Sequence, residues 1–265
     1  MISLRNIFYD NIKFYEFRRR AAAVLYPNRC PFCLKLIRCA DYYCGLCRRY
    51  LPYFYGKPEL PENVSRLIAV CWYSRRVRDA VFSLKYQGFI YPADAFALMM
   101  SEKLLRDMNI TDEADVLVPV PSGFLSVMKR GFSPARVICR RVAHRLKIPM
   151  ADAVGAVGDK TEQKALSSKR RRENAMRSFY VRNNADITGK RVLLIDDVCT
   201  TGSTLSAIAE KLLDAGAKDV SACVFAHAVR YTHTDSGITR IKIGNRCRIP
   251  FNNGLSTDKN DRRGK

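Results

Sequence analysis

Val192-Leu193-Leu194-Ile195-Asp196-Asp197-Val198-Cys199-Thr200-Thr201-Gly202-Ser203-Thr204 is the stretch on which the fold turns. Its first four residues are apolar without interruption, which suits the centre of a parallel sheet covered on both faces. A strand there delivers Asp196 and Asp197 to its carboxyl end, where open α/β sheets bind ligands. A short loop of hydroxyls and one glycine follows, and then a helix from about Ser203. That helix carries Leu205, Ile208, Leu212 and Leu213 and stops at Gly216, placed as the residue just past its end. A second apolar strand, Val220–Ala226, completes a strand–loop–helix–strand unit. Backbone N–H groups and the dipole at the helix start form an anion site. Gly202 lets the backbone approach a phosphate, and Thr200, Thr201, Ser203 and Thr204 add hydroxyl donors. Carboxylates accept hydrogen bonds from neighbouring sugar hydroxyls, so Asp196 and Asp197 suit a polyol. The segment reads as a cradle for ribose 5-phosphate. Neither GxxxxGK nor GxGxxG is present, so it is not a nucleotide P-loop or a dinucleotide fingerprint. The plainer alternative is an ordinary N-capped helix after a strand, and two aspartates at the strand end argue against it.

Outward from this unit, Leu67–Tyr73 and Asp115–Val120 have strand character. Val77–Tyr86 and Ala93–Met108 read as helices, the second with Phe96, Met100, Leu104 and Met108 on one face. Ser133-Pro134 supplies an N-cap and a first-turn proline for a helix that buries Ile138, Val142 and Leu146. Residues 151–178 lose periodicity. Their run Lys169-Arg170-Arg171-Arg172 is either part of a lid or a solvated basic face. The expected organisation is an N-terminal helical segment (1–29), a cysteine module (30–55), a linker (56–63), an α/β domain (64–230) and a basic, partly disordered extension (231–265).

With 265 residues, 48% hydrophobic and 27% charged, the chain has the composition of a soluble globular protein. No apolar run approaches the roughly 20 residues of a membrane span, and the N-terminus lacks a secretion pattern. These features predict a cytoplasmic protein without membrane insertion. Lysine and arginine number 46 against 25 acidic residues, a formal charge of +21. Solubility alone needs less, so the excess points to polyanionic partners.

Ten cysteines are too few for a disulfide scaffold, but half of them fall between Cys30 and Cys47. Cys30-x2-Cys33 and Cys44-x2-Cys47 each place two sulfurs on a tight turn, and two such turns make a tetrahedral four-thiolate Zn²⁺ site of structural type. Cys39 is a spare thiol able to replace one of the four. A redox pair is the alternative, and the segment lacks the strand–helix setting such a pair uses. Arg48, Arg49, Tyr50 and Tyr53 interleave cations with aromatics, which suits stacking of single-stranded bases; the competing reading is that these rings pack the module onto the main domain.

The acidic-pair stretch resembles the 5-phosphoribosyl 1-pyrophosphate (PRPP) motif of type I phosphoribosyltransferases. With the cysteine module, the chain resembles the ComF family of competence proteins over roughly residues 20–230. Asp115–Pro121, Lys129-Arg130-Gly131-Phe132 and Leu84-Lys85-Tyr86 resemble further family segments, as does the pattern of Thr161, Gln163, Leu166, Arg171, Asn174 and Phe179. The resemblance implies a type I phosphoribosyltransferase-like parallel sheet flanked by helices and an N-terminal zinc ribbon. It implies Mg²⁺ bound with PRPP, Asp196 and Asp197 at the ribose, and Thr200–Thr204 at the 5′-phosphate. It further implies Lys85, Lys129 and Arg130 on the pyrophosphate side, and Gln163, Arg171 and Asn174 on a flexible loop. Ser133-Pro134 and Ser122-Gly123 depart from the family pattern on that pyrophosphate side. The function implied is PRPP binding in DNA uptake and natural transformation, with single-stranded DNA and competence-machinery proteins as partners. The alternative is a metabolic transferase moving ribose 5-phosphate to a nucleobase. Whether catalysis is retained stays open at this level.

Overall fold

A strand that is apolar at every position needs cover on both faces, and the computed structural model shows that cover. It describes residues 28–87, 89–157, 178–183, 186–228, 231–233 and 239–241. The strands are β1 (Leu67–Trp72), β2 (Val116–Pro119), β3 (Val154–Ala156), β4 (Phe179–Val181), β5 (Arg191–Cys199), β6 (Asp219–His227), β7 (Tyr231–His233) and β8 (Thr239–Ile241). The helices are α1 (Gly45–Tyr50), α2 (Arg75–Tyr86), α3 (Pro92–Asp107), α4 (Ile110–Glu113), α5 (Phe124–Arg130), α6 (Pro134–Leu146) and α7 (Ser203–Asp214). The main sheet runs β1-β6-β5-β2 with every pairing parallel, so β5 and β6 are its two inner strands.

Side chains alternate along β5. Leu193 and Ile195 share one core with Phe96 of α3, Ile138 of α6 and Phe225 of β6. Val192 and Leu194 share the other with Leu205, Ile208 and Leu212 of α7. Phe96 and Phe225 stack at 3.7 Å between centroids and are fully buried. Burial of each ring contributes about 2–3 kcal/mol, which fixes α3 against the sheet.

The cysteine module joins the first of these cores. Phe32 stacks 6.2 Å from Phe225 and lies 6.1 Å from Phe96, while Cys30, Tyr43, Cys47 and Leu51 are buried in the same cluster. The end of the module covers the outer edge of β1. Phe54 donates its N–H to the Val70 carbonyl, Trp72 donates to that of Pro52, and Tyr53 opposes Cys71 in an antiparallel bridge. Covering an edge in this way removes a template for unwanted strand pairing.

Several expected features take a different form. The expected strand Val192–Ile195 continues through both aspartates to Cys199. Ser133 precedes α6 as predicted, yet its hydroxyl makes no cap bond; it meets the Ser122 hydroxyl at 3.1 Å instead. The aperiodic region begins with β3, which pairs antiparallel with β4. Three residues are too few for a periodic signal. In the expected C-terminal extension, β7 pairs antiparallel with β8. Most of the expected N-terminal helix and the loop residues Gln163, Arg171 and Asn174 lie outside the described residues, as does the Lys169–Arg172 run.

Candidate functional site

The carboxyl end of β5 carries the acidic pair, and the strand's period of two sends the two carboxylates to opposite faces. Asp197 follows Ile195 toward α2 and is buried, at 4% exposure. A buried carboxylate needs a counter-charge. Lys85, in the last turn of α2, supplies it, with Nζ 2.8 Å from Asp197 Oδ2. The ion pair forms because Val77, Val81 and Leu84 anchor α2 on the core, leaving the next residue, Lys85, beside β5. Burial disfavours the charged lysine, but Asp197 outweighs it, with Asp196 adding to the effect, and the Lys85 pKa rises. Lys85, expected on the pyrophosphate side, thus has its ammonium on Asp197. Asp196 is half-buried, and its Oδ1 accepts the N–H of Asp197 at 2.8 Å. The two carboxylates therefore differ: one is held in an ion pair, the other bends along the strand end.

Between β5 and α7 the loop is Thr200, Thr201 and Gly202. The threonines are exposed, and Thr201 Oγ1 accepts the Ser203 N–H at 3.3 Å and meets the Ser203 hydroxyl at 2.9 Å. Gly202 has φ of +73°, a conformation that disfavours any side chain. A second constraint was not legible in the sequence. The linker folds back so that a Cβ on Gly202 would stand 2.6 Å from Pro61 Cγ. No side chain caps α7 from the Gly202 position, and the helix opens on this loop. The loop, the N-terminus of α7 and Asp196 thus converge on one end of the sheet, an arrangement that fits a phosphate joined to a hydroxylated ring.

Lys129 and Arg130 occupy the last turn of α5. Lys129 is exposed; Arg130 donates from Nε to the Ser126 carbonyl at 2.9 Å, and its guanidinium carbon lies 5.8 Å from the Tyr86 ring centre. Adjacent residues of α2 therefore face two partners: Lys85 holds Asp197, and Tyr86 meets Arg130. Ser122 and Ser133, the two departures from the family pattern, form their hydrogen bond beside this helix. Burial, reinforced by the Asp196 charge, pushes the Cys199 thiol up to about 11, which keeps it protonated beside the site.

In the cysteine module, the sulfurs of Cys30, Cys33, Cys44 and Cys47 lie within 4.8 Å of one another. Tetrahedral zinc at ordinary Zn–S lengths separates its sulfurs by about 3.8 Å, so the donor set fits a four-thiolate metal ion. Cys33 and Cys44 are already 3.6 Å apart. Cys47 donates its N–H to the Cys44 sulfur at the start of α1. Burial opposes ionisation of Cys44, yet that N–H and the neighbouring thiols outweigh it and bring the thiol down to about 7. Cys39 is exposed and outside the group. The aromatic–basic segment divides. Phe54 is buried against Trp72 at 4.3 Å, and the half-buried Tyr53 donates its hydroxyl to the Arg48 carbonyl at 2.7 Å. Arg48, Arg49 and Tyr50 are exposed.

Residues 100–245, more than half of the chain, match the phosphoribosyl transferase domain, and the chain belongs to that family. Its relatives include Competence protein F of Haemophilus influenzae, 26% identical, with 75% of this chain and 90% of the relative covered. The DNA utilization protein YhgH of Salmonella typhi is 29% identical over 76% of this chain and 91% of its own length. The resemblance to the ComF family therefore holds across most of the chain. Among solved structures, a purine phosphoribosyltransferase from Pyrococcus horikoshii Ot3 is similar at 18% identity and a TM-score of 0.33, covering 61% of this chain and 77% of that one. Among the described residues, no helix is long and apolar enough to cross a membrane.

Proposed function

We propose that this chain binds PRPP at the carboxyl end of β5 and acts in the handling of single-stranded DNA during uptake or use. The observation that carries the reading is the junction itself: an inner parallel strand bearing Asp196 and Asp197 runs through Thr200–Gly202 into the open N-terminus of α7. Relatives named for competence and DNA utilization, and a chain charge of +21, support the nucleic-acid part.

In this reading the loop N–H groups and hydroxyls from Thr200 to Thr204 hold the 5′-phosphate. Asp196 accepts from ribose hydroxyls. Asp197, paired with Lys85 on the opposite face of the strand, braces the end of β5 from which Asp196 reaches the ribose. Lys129 and Arg130 neutralise the pyrophosphate. Magnesium would enter with PRPP, would need few protein ligands, and would supply positive charge to neutralise the departing pyrophosphate. Cys30, Cys33, Cys44 and Cys47 would hold zinc, which supplies a structural cross-link between the module's two turns.

Isothermal titration calorimetry with PRPP and Mg²⁺ tests the ligand. Saturable binding that Asp196→Asn weakens supports the reading, and absence of binding overturns it. A screen of nucleobases for pyrophosphate release separates this reading from the metabolic alternative: turnover with a base favours metabolic transfer.

A further inference from the structure

The inner side of α2 is spent on the core, through Val77, Ala80, Val81 and Leu84. Its outer side is unusual. Arg78, Phe82 and Tyr86 recur every four residues and form one stripe. Phe82 is 51% and Tyr86 66% exposed, and their rings touch at 4.8 Å between centroids. Single exposed apolar residues are ordinary; two rings in contact on an otherwise charged helix are not. The surroundings are cationic. α2 contains Arg75, Arg76, Arg78 and Lys85 against one acidic residue, Asp79, and α5 brings Lys129 and Arg130 with no acid. Arg130 lies over Tyr86.

We infer that the Phe82–Tyr86 stripe, with Arg78 and Arg130 beside it, is the stacking platform that receives single-stranded nucleic acid. This rests on the DNA reading above and assigns the strand a place that the cysteine module was expected to occupy. Base faces stack on exposed rings without regard to sequence, while the flanking cations follow the phosphates. A duplex hides its base faces, so the platform selects single strands. Charge excludes a second copy of this chain as the occupant, because two equally basic faces repel. Tyr86 also adjoins Lys85, whose ammonium holds Asp197 near the carboxyl end of β5.

The test is fluorescence anisotropy of a labelled thymidine homopolymer with the full chain, with thermal melts to confirm that each variant is folded. Phe82→Ala and Tyr86→Ala should each weaken binding roughly tenfold, and the pair more. Arg130→Gln should lower the salt dependence by about one counterion. Arg49→Ala/Tyr50→Ala should leave affinity within twofold. If the Phe82 and Tyr86 variants bind like the parent while the Arg49/Tyr50 variant fails, the strand lies on the cysteine module and the inference is wrong. If the parent protein binds no single strand, the DNA reading itself falls. If Phe82→Ala changes only the mass measured by light scattering, the stripe is an interface between copies.

Discussion

Replacing Lys85 by methionine tests the pairing on which the acidic end of β5 depends. The ion pair is 2.8 Å long, with 26% of the lysine side chain and 6% of the aspartate side chain exposed. Removing one partner of a buried pair costs about 3–5 kcal/mol, because the other charge is left uncompensated. Methionine keeps the packing volume but strands Asp197, which has almost no access to water. We therefore expect Lys85→Met to lose about 3 kcal/mol, a large share of a normal folding free energy. Asp197→Asn leaves the charge on Lys85, which reaches water and has Asp196 nearby. Its cost should be smaller, about 1.5 kcal/mol, from the lost charge-assisted hydrogen bond. The double variant replaces the pair with neutral groups and should recover part of the loss, giving a coupling energy of about 2 kcal/mol in a double-mutant cycle. Urea denaturation of the four proteins measures all three quantities. The pH dependence has a defined sign. The Lys85 pKa is raised in the folded protein, so the pair's contribution is complete below the ordinary lysine value and fades as pH climbs past the raised one. Lys85→Met should lack that alkaline loss. Additive single losses, or a lysine variant no weaker than the asparagine variant, would refute the reasoning.

Gly202→Ala should cost about 1–2 kcal/mol from its left-handed backbone alone and should weaken PRPP binding, since the new Cβ also strikes Pro61. Adding Pro61→Gly should restore part of the stability and leave the backbone strain, as chemical denaturation of the single and double variants will show. Each of Cys30→Ser, Cys33→Ser, Cys44→Ser and Cys47→Ser should reduce bound zinc measured by atomic emission and lower the melting temperature; Cys39→Ser should change neither. Asp115 accepts three hydrogen bonds from Arg191 at the far end of β5, which hold its carboxyl well below the ordinary range. Because that pKa is depressed, the stabilisation exists above the ordinary carboxylate value and is lost as pH falls below it. Asp115→Asn should therefore be less stable than the parent at neutral pH, converge with it in acid, and bind PRPP unchanged by calorimetry.

The strand at Val192–Ile195 and the helix after Gly202 could be read directly, because uninterrupted apolar residues and a helical period are local signals. The cysteine spacing was legible for the same reason: four donors in two tight turns specify their own geometry. Contacts between distant segments were not. Nothing near Lys85 announces Asp197, and the ion pair exists only because α2 packs with α3 on the core that Leu193 and Ile195 of β5 share. Pro61 read as a linker residue, yet it packs on Gly202. Phe32 read as part of a small module, yet it stacks beside Phe96 and Phe225 in the sheet's own core. The opposite facing of Asp196 and Asp197 follows from period-two geometry once the strand is known to continue to Cys199, a boundary that the polar residues concealed.

A crystal structure of the protein grown with PRPP and Mg²⁺ examines the β5–α7 junction without intermediaries. The expected result is density for the 5′-phosphate against the backbone of Thr200–Ser203, with ribose hydroxyls at Asp196. A phosphate bound elsewhere, with the Thr200–Gly202 loop unchanged and bare, would contradict the account.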